Sequence, residues 1–542
     1  MPQPQTFLSP FSYPTFRNIW SASIISNIGG MVQGVGAAWM MTSLTPSENM
    51  VALVQTSNTL PVMLFALLAG AIADNYDRRK VMLAAQIFMC VVSFMLAFVA
   101  FSGLITPWLL LAFTFLIGCG GSLNNPSWQA AVGDMVPREE VSGAVSLNSV
   151  GFNATRVVGP AIGGAILTFT SPAIAFLINA LTYIPTAMAL AFWKKPVEVD
   201  ELPREKMGTA ILAGLRYAAM SPNIINVLCR SAIFGFAAVS LLALLPVVAR
   251  DVIDGGPLTY GIMLGAFGIG AIGGAFANAP VRARLSGEGI VRYAFLILAV
   301  SATVVGFSTS LVISCIALFF AGACWVMEFS LFNTTIQLST PRWVVGRVLS
   351  FYATATFGGQ ALGAWVWGML AENHGIAFSL AVSGATMVFG AAMGLLWSMP
   401  GFSKLDLSPL NRFRTPELKL DLLPRSGPIV IELEFEIADE NTIEFLRLMS
   451  DRRRIRIRDG ARHWALMRNL ANPDIWTETY HSPTWADYVR HNQRRLLSDG
   501  DHFDQVRAIT RNQTGPKVRR MIERQAIAPK DEVFNRTFMD TH

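Results

Sequence analysis

The sequence is short of charge. Of its 542 residues only 14% are Asp, Glu, Lys or Arg, and the shortage is uneven. Residues 1–402 hold 18 of the 42 Lys and Arg and 15 of the 36 Asp and Glu, so they are about 8% charged. Residues 403–542 hold the rest and are about 32% charged. So few charges cannot cover a soluble 402-residue core, and the apolar runs repeatedly pass the roughly 20 residues that cross a bilayer. A soluble enzyme, a disordered chain and a single domain are excluded. Cysteine is also scarce. Cys90, Cys119, Cys229, Cys315 and Cys324 all lie in apolar runs, with no CxxC or metal spacing, so neither a disulfide framework nor a metal centre is expected. There is no GxxxxGK[ST] loop to draw on ATP, and no cofactor is expected. The Pro- and Gln-rich start lacks a basic n-region, so the first apolar run is expected to stay in the protein. The net charge of +6 does not point to nucleic acid, because the basic residues are accounted for by topology and by the tail.

What is present is a series of long apolar windows. Twelve spans are predicted near 17–42, 50–73, 80–101, 106–130, 143–168, 172–193, 223–249, 257–279, 290–308, 311–338, 343–370 and 375–398. With both ends cytoplasmic, the cytoplasmic segments hold fifteen basic residues, from Arg17 and Arg78 to Arg342 and Arg347, while the opposite loops hold only Arg250. That is a strong positive-inside pattern. The chain divides into a six-span bundle over 1–193, a loop over 194–222 and a second six-span bundle over 223–399. The loop carries an amphipathic stretch, Thr209 to Met220, suited to a membrane surface.

The two bundles repeat at an offset of 204. Gly70 meets Gly274, Arg78 meets Arg282, Pro137-Arg138 meets Pro341-Arg342, Gly159 meets Gly363 and Gly164 meets Gly368. Six spans repeated in the same orientation form the parallel-repeat plan of secondary transporters.

The loop after span 2 reads Gly70-Ala-Ile-Ala-Asp74-Asn-Tyr-Asp77-Arg78-Arg79-Lys80. A glycine for close helix approach, an aspartate four residues on and a basic cluster resemble the signature of the major facilitator superfamily. The resemblance implies that Gly70, Asp74, Asp77, Arg78 and Arg79 belong to a cytoplasmic gate. Asn75 and Asp77 depart from the usual basic residue and glycine, and the second copy has Asn278 in place of the aspartate. Simple anchoring of the basic residues remains the other reading. In span 5, Gly159-Pro160-Ala-Ile-Gly163-Gly164 resembles the GPxxGG motif of exporters and antiporters, with proline to bend the helix and glycines to pack it. Helix packing without bearing on direction is the alternative. Span 4 lacks the family's arginine.

Three ionisable residues fall inside spans: Arg156, Arg230 and Glu328. Such groups are costly in hydrocarbon and usually face a cavity or one another. By the repeat offset, Glu328 corresponds to Asn124, Arg156 to Gln360 and Arg230 to Ser26, so each charge is matched by a polar residue. With Asn27, Asn58 and Asn153 they suit a pathway for an amphipathic molecule. Glu328 is the candidate for a coupling proton, with a structural ion pair as the alternative. Arg230, two turns into span 7, could instead reach the surface. The stretches Asn153-Ala-Thr-Arg156-Val-Val-Gly159-Pro160, Leu244-Leu-Pro246-Val-Val-Ala-Arg250 and Pro341-Arg-Trp-Val-Val-Gly346-Arg347 resemble the enterobactin-exporter-like, secretion-effector branch. That branch implies proton-driven efflux of siderophore- or drug-like compounds.

A linker over 400–427 leads to a soluble domain over 428–525 and a tail over 526–542. Ile429, Ile431, Leu433, Phe435 and Ile437 alternate as a strand. Helices are expected over 438–451 and 484–497, and strands over 463–468, 476–480 and 517–522. The order β-α-β-β-α-β suits a ferredoxin-like fold. Arg452-Arg453-Arg454 reads as a solvated helix face, and His463, His481, His491 and His502 read as surface or locally bonded groups. Arg456 to Trp464 and Ser482-Pro-Thr-Trp485 resemble tails related to antibiotic-biosynthesis monooxygenases, which implies a sensor, a homodimerising module or a small oxygenase.

The expectation is an all-α twelve-helix major facilitator fold followed by a small α+β domain. It is a bacterial inner-membrane, multi-pass exporter with both termini cytoplasmic, partnered by lipid, substrate and protons. An importer of the same fold and a membrane-anchored enzyme acting through the tail are the rival readings.

Overall fold

The computed structural model describes residues 9–137, 140–193, 207–341, 343–400, 422–511 and 515–523, with a few positions between 410 and 420. The side chains of several helical residues, Asp74, Asn75 and Asn153 among them, lie outside the described set, as do 194–206 and the 526–542 tail.

Among the described residues the membrane part has twelve long helices: α1 (Pro14–Leu44), α2 (Glu48–Asn75), α3 (Arg78–Phe101), α4 (Pro107–Met135), α5 (Val141–Phe169), α6 (Pro172–Phe192), α8 (Pro222–Val247), α9 (Pro257–Arg284), α10 (Gly287–Phe307), α11 (Leu311–Leu338), α12 (Val345–His374) and α13 (Ile376–Met393). A short helix, α7 (Met207–Ala219), comes between the halves and coincides with the predicted amphipathic stretch. Of these, ten are long and apolar enough to cross a membrane. The other two of the twelve, α1 and α12, are rich in Gly, Ser, Thr and amide residues, which lowers their hydropathy. Helix starts are written in the sequence. Ser47, Asp77, Thr106 and Ser286 each accept a backbone N–H two or three residues on. Within each half the connections are only a few residues long, so sequential helices run antiparallel, but the main packing partners include α2 with α4, α3 with α6, α1 with α5 and α6, and α10 with α13.

The 204-residue repeat is visible in the packing. A Cβ on Gly159 of α5 would meet Met31 of α1, and one on the matching Gly363 of α12 would meet the Phe236 carbonyl of α8. Gly164 and its counterpart Gly368 instead meet the opposite half. A Cβ on Gly164 would lie 2.8 Å from Gly261 Cα of α9, and one on Gly368 would lie 3.0 Å from Asn49 Cα of α2. The same two glycines in each half therefore make one contact within the half and one across the molecule.

The second unit comprises the tail together with α7 and the turn that carries Trp343. The tail contains β1 (Ile429–Glu436), α14 (Thr442–Asp459), β2 (Arg462–Arg468), β3 (Ile475–Ser482), α15 (Trp485–Gln493), α16 (Leu497–Ala508) and β4 (Lys517–Ile522). The strands form one antiparallel sheet in the order β2-β3-β1-β4, the ferredoxin-like arrangement. Ile429, Ile431, Leu433 and Phe435 turn one face of β1 into a core with Phe445, Met449, Trp476, Tyr480, Tyr488 and Val506. Two helices differ from expectation. The first runs on to Asp459, through the arginine-rich stretch, because Arg452 and Arg456 have a buried carboxylate to bond. The second is broken at 494–496 into α15 and α16, and Asp499 Oδ2 accepts the Leu496 N–H at 3.4 Å where α16 starts.

Candidate functional site

At the end of the bundle where the basic residues gather, Arg78 starts α3 and donates to Asp134 on α4 at 3.1 Å. Arg79 donates to the carbonyls of Leu190 and Ala191 at the end of α6, at 2.8 and 2.6 Å. Asp77 caps α3, accepting the Arg79 backbone N–H at 3.0 Å. A Cβ on Gly70 would lie 3.0 Å from Ser350 Oγ, where α2 meets the start of α12. In the second half, Arg282 bonds Asn278 at 2.9 Å and Ser330 at 3.2 Å. The repeated arginines thus both tie a helix end to its neighbour, by an ion pair in one half and by neutral partners in the other. Asp74 stands on α2, and its side chain lies outside the described ones.

At the opposite end, contacts join the halves. Arg250 donates to the Thr42 carbonyl at 2.7 Å, Ser47 to Glu372 at 2.9 Å, and Trp39 stacks on Tyr260. The Gly164–Gly261 crossing of α5 and α9 lies toward this end, four residues into α9. Pro160 is buried inside α5, and a Cβ on Gly163 would lie 3.1 Å from Val35 of α1.

Between the ends lie the polar residues. Glu328 on α11 is 0% exposed, and neither of its carboxyl oxygens has a hydrogen-bond partner among the described residues. It stands one turn from Trp325 and from Phe332, whose rings pack on Phe234 of α8. Arg230 is 1% exposed and pairs with Glu288 of α10, with Nη2 to Oε1 at 3.2 Å. It also donates to the Trp397 carbonyl at 3.2 Å. Arg230 is therefore held inside the second half rather than at a surface. Arg156 is half-buried, with its guanidinium 5.5 Å from the Phe152 ring. Asn124 accepts from Gln86 at 3.3 Å, and Gln360 is buried with Nε2 unpartnered. Asn27 and Asn58 are half-buried on α1 and α2, and the Asn153 side chain lies outside the described ones. In the first half Asn179 also bonds Gln33, Ser93 at 3.3 Å and Tyr183 at 3.4 Å.

The tail holds a buried charge cluster that the sequence pattern concealed. Glu478, 0% exposed, accepts from Arg452 Nε at 2.7 Å, Arg456 Nε at 3.1 Å and Trp464 Nε1 at 3.1 Å. Burial pushes its carboxyl up, but the two arginines overcome this and hold it at about 2. The expected solvated face is thus wrong for Arg452. His491 is buried too, with Nε2 3.0 Å from Arg456 Nη1, and burial together with the neighbouring arginines holds it well below its usual value. On the outer side of the same helices, Arg494 lies 4.1 Å from the Trp343 ring, Arg458 lies 5.7 Å from Tyr217 of α7, and Tyr217 meets Trp343 edge-on. Arg452, Arg456 and Asp459 lie at i, i+4 and i+7 and continue the buried face that Phe445, Leu448 and Met449 begin on α14. Among the described residues no group of three or more His, Cys, Asp or Glu is placed to hold a metal.

Comparison with known proteins agrees with this architecture. The family described as transmembrane secretion effector matches residues 5–527, which includes most of the tail. The enterobactin exporter EntS of Salmonella typhimurium is 27% identical over 414 residues, covering 74% of this chain and 94% of that one. Macrolide efflux protein A of Streptococcus pyogenes is 20% identical over 269 residues, covering 47% of this chain and 66% of its own. Among solved structures, the inward-facing bacterial homologue of the human lysosomal transporter Spinster superposes with a TM-score of 0.59 at 14% identity, over 72% of this chain and 97% of that one.

Proposed function

This chain belongs to the transmembrane secretion effector family of the major facilitator superfamily, and on that premise we propose that it is a proton-coupled exporter of an amphipathic, siderophore- or drug-like molecule. It acts by alternating access in a bacterial cytoplasmic membrane, with both termini in the cytoplasm. The observation that carries the reading is Glu328, a fully buried carboxyl inside α11 with neither oxygen hydrogen-bonded among the described residues. An ionised carboxylate is costly away from donors and cations, and a carboxyl that takes up and releases a proton as water access changes avoids that cost. Export is supported by the Gly159-Pro160-Ala-Ile-Gly163-Gly164 motif and by relatives named for enterobactin export and macrolide efflux.

In this reading Arg156, Asn124, Gln360, Asn153, Asn27 and Asn58 line the pathway, and Arg230 acts through its pair with Glu288. Gly70, Asp74, Asp77, Arg78 and Arg79 close the cytoplasmic end when the molecule opens outward. The halves meet at both ends, through Arg250 and Thr42 at one and through Gly70 and Ser350 at the other. The tail is accessory rather than catalytic. Cells expressing the chain should accumulate less labelled macrolide or catecholate than cells expressing Glu328→Gln, and an uncoupler should abolish the difference. Equal accumulation in both, at equal membrane abundance, counts against the proton role. Higher accumulation with the intact chain points to import.

A further inference from the structure

Among the described residues, the tail interior gathers several buried guanidiniums around few carboxylates, and Asp459 Oδ2 is the one carboxylate oxygen there that is buried without a hydrogen-bond partner. The guanidiniums of Arg452, Arg456 and Arg495 all lie against one ring, that of Phe503, at 4.8, 5.9 and 5.0 Å. Glu478, the carboxylate bonded to this group, already accepts from Arg452, Arg456 and Trp464. Arg458 takes up the next two carboxylates, Asp459 at 2.9 Å and Asp499 at 2.6 Å. His491 supplies no negative charge, and its Nε2 lies 3.0 Å from Arg456 Nη1. Two guanidinium N–H groups of this cluster are left buried without an acceptor among the described residues, Nη2 of Arg456 and Nε of Arg495, as is the indole N–H of Trp476 in the same core. Arg456 is 1% exposed and belongs to the helix–sheet core, so this is not a loose surface cation. The Arg495 guanidinium is held down to about 10, by burial first and then by the charge of Arg456 beside it. Buried guanidinium donors of this kind are costly when unmatched and pair strongly with carboxylate or phosphate oxygens.

We propose that the tail is an anion-binding domain, in which Arg456 Nη2 and Arg495 Nε bind a carboxylate or phosphate group of a small molecule. Tyr480, with its ring 4.4 Å from the Arg456 guanidinium, and Phe503 supply apolar walls beside that group. The site is separate from the membrane pathway and does not depend on the direction of transport. Arg494, the neighbour of Arg495, stacks on Trp343 instead and takes no part in it.

The test uses the full-length protein in detergent and a chloride buffer. Inorganic phosphate and benzoate are titrated separately by calorimetry, and amide hydrogen exchange locates the effect. Saturable binding of one or both is expected, with slowed exchange within 442–508. Phosphate alone binding assigns a phosphorylated ligand, and benzoate alone a carboxylate. Arg495→Gln should weaken binding about tenfold or more, the loss of one charge-assisted hydrogen bond. Arg495→Lys, which keeps the charge without the planar fork, should weaken it less, and Arg494→Gln should leave it unchanged. Absence of saturable binding by either probe, equal binding in Arg495→Gln, or slowed exchange confined to the membrane helices would each overturn the proposal.

Discussion

Glu478 shows how much of the tail rests on one side chain. Its carboxylate answers Arg452 and Arg456 inside a packed core. Glu478→Gln leaves both guanidiniums without their counter-charge, and breaking a buried pair in this way costs about 3–5 kcal/mol. The tail's thermal transition should fall or vanish while the membrane helices stay folded, as read by circular dichroism of the full chain; an unchanged transition contradicts this. The pH dependence has a definite sign. Folded His491 is held well below 6.5, so as pH falls through 6.5 the unfolded chain takes up a proton first and stability drops. Folded Glu478 sits at about 2 against an ordinary 4.5, so a second loss follows between those values. His491→Asn should flatten the slope between 6.5 and 4.5 and leave the lower one; a slope that persists there assigns it to another group. None of this was legible locally. Hydropathy places a run of three arginines on a surface, and the carboxylate that draws Arg452 inward lies 26 residues away on β3.

Helix crossings set the next scale. The α5–α9 crossing depends on Gly164 and Gly261, whose backbones approach so closely that a Cβ on either would lie 2.8 Å from the other's Cα. Backbone rather than a flexible side chain stands in the way, so Gly164→Val cannot be accommodated without moving a helix. It should raise the labelling of a cysteine placed at the Thr42–Arg250 end, in a background without the five native cysteines, and reduce transport at normal abundance. Gly30, with nothing within 4 Å of a Cβ, gives the control: Gly30→Ala should leave both unchanged. Labelling that does not rise in Gly164→Val contradicts a closed crossing there. In the second unit, Trp343→Ala removes the edge-on contact with Tyr217 and the stack on Arg494, together worth about 1–2 kcal/mol. Faster trypsin cleavage at Arg216 in α7 is expected, and unaltered cleavage counts against the contact. The glycine motif was readable in the sequence, but its partner was not, because Gly261 sits in a helix whose other glycines give no sign of which one crosses α5.

For the whole molecule, charge scarcity, the span lengths and the 204-residue offset made the twelve-helix plan and its repeat legible, and the paired glycines Gly159/Gly363 and Gly164/Gly368 show why the offset holds. The strand order of the tail was legible from the alternation of β1 and the element sequence, whereas α16 was not, since Phe503 and Val506 are nearly all that marks its inner face. The pathway was legible only as a set of polar residues in apolar spans. Sequence spacing cannot tell that Arg230 is engaged by Glu288 while Glu328 has no hydrogen-bond partner among the described residues. The central claim is that Glu328 carries the coupled proton. Everted membrane vesicles with an inside-acid gradient test it most directly, with the gradient followed by a quenched dye while catecholate siderophores, macrolides and lipophilic cations are added in turn. One class should collapse the gradient in vesicles holding the intact chain and leave it standing in Glu328→Gln vesicles. Equal collapse in both would contradict the claim.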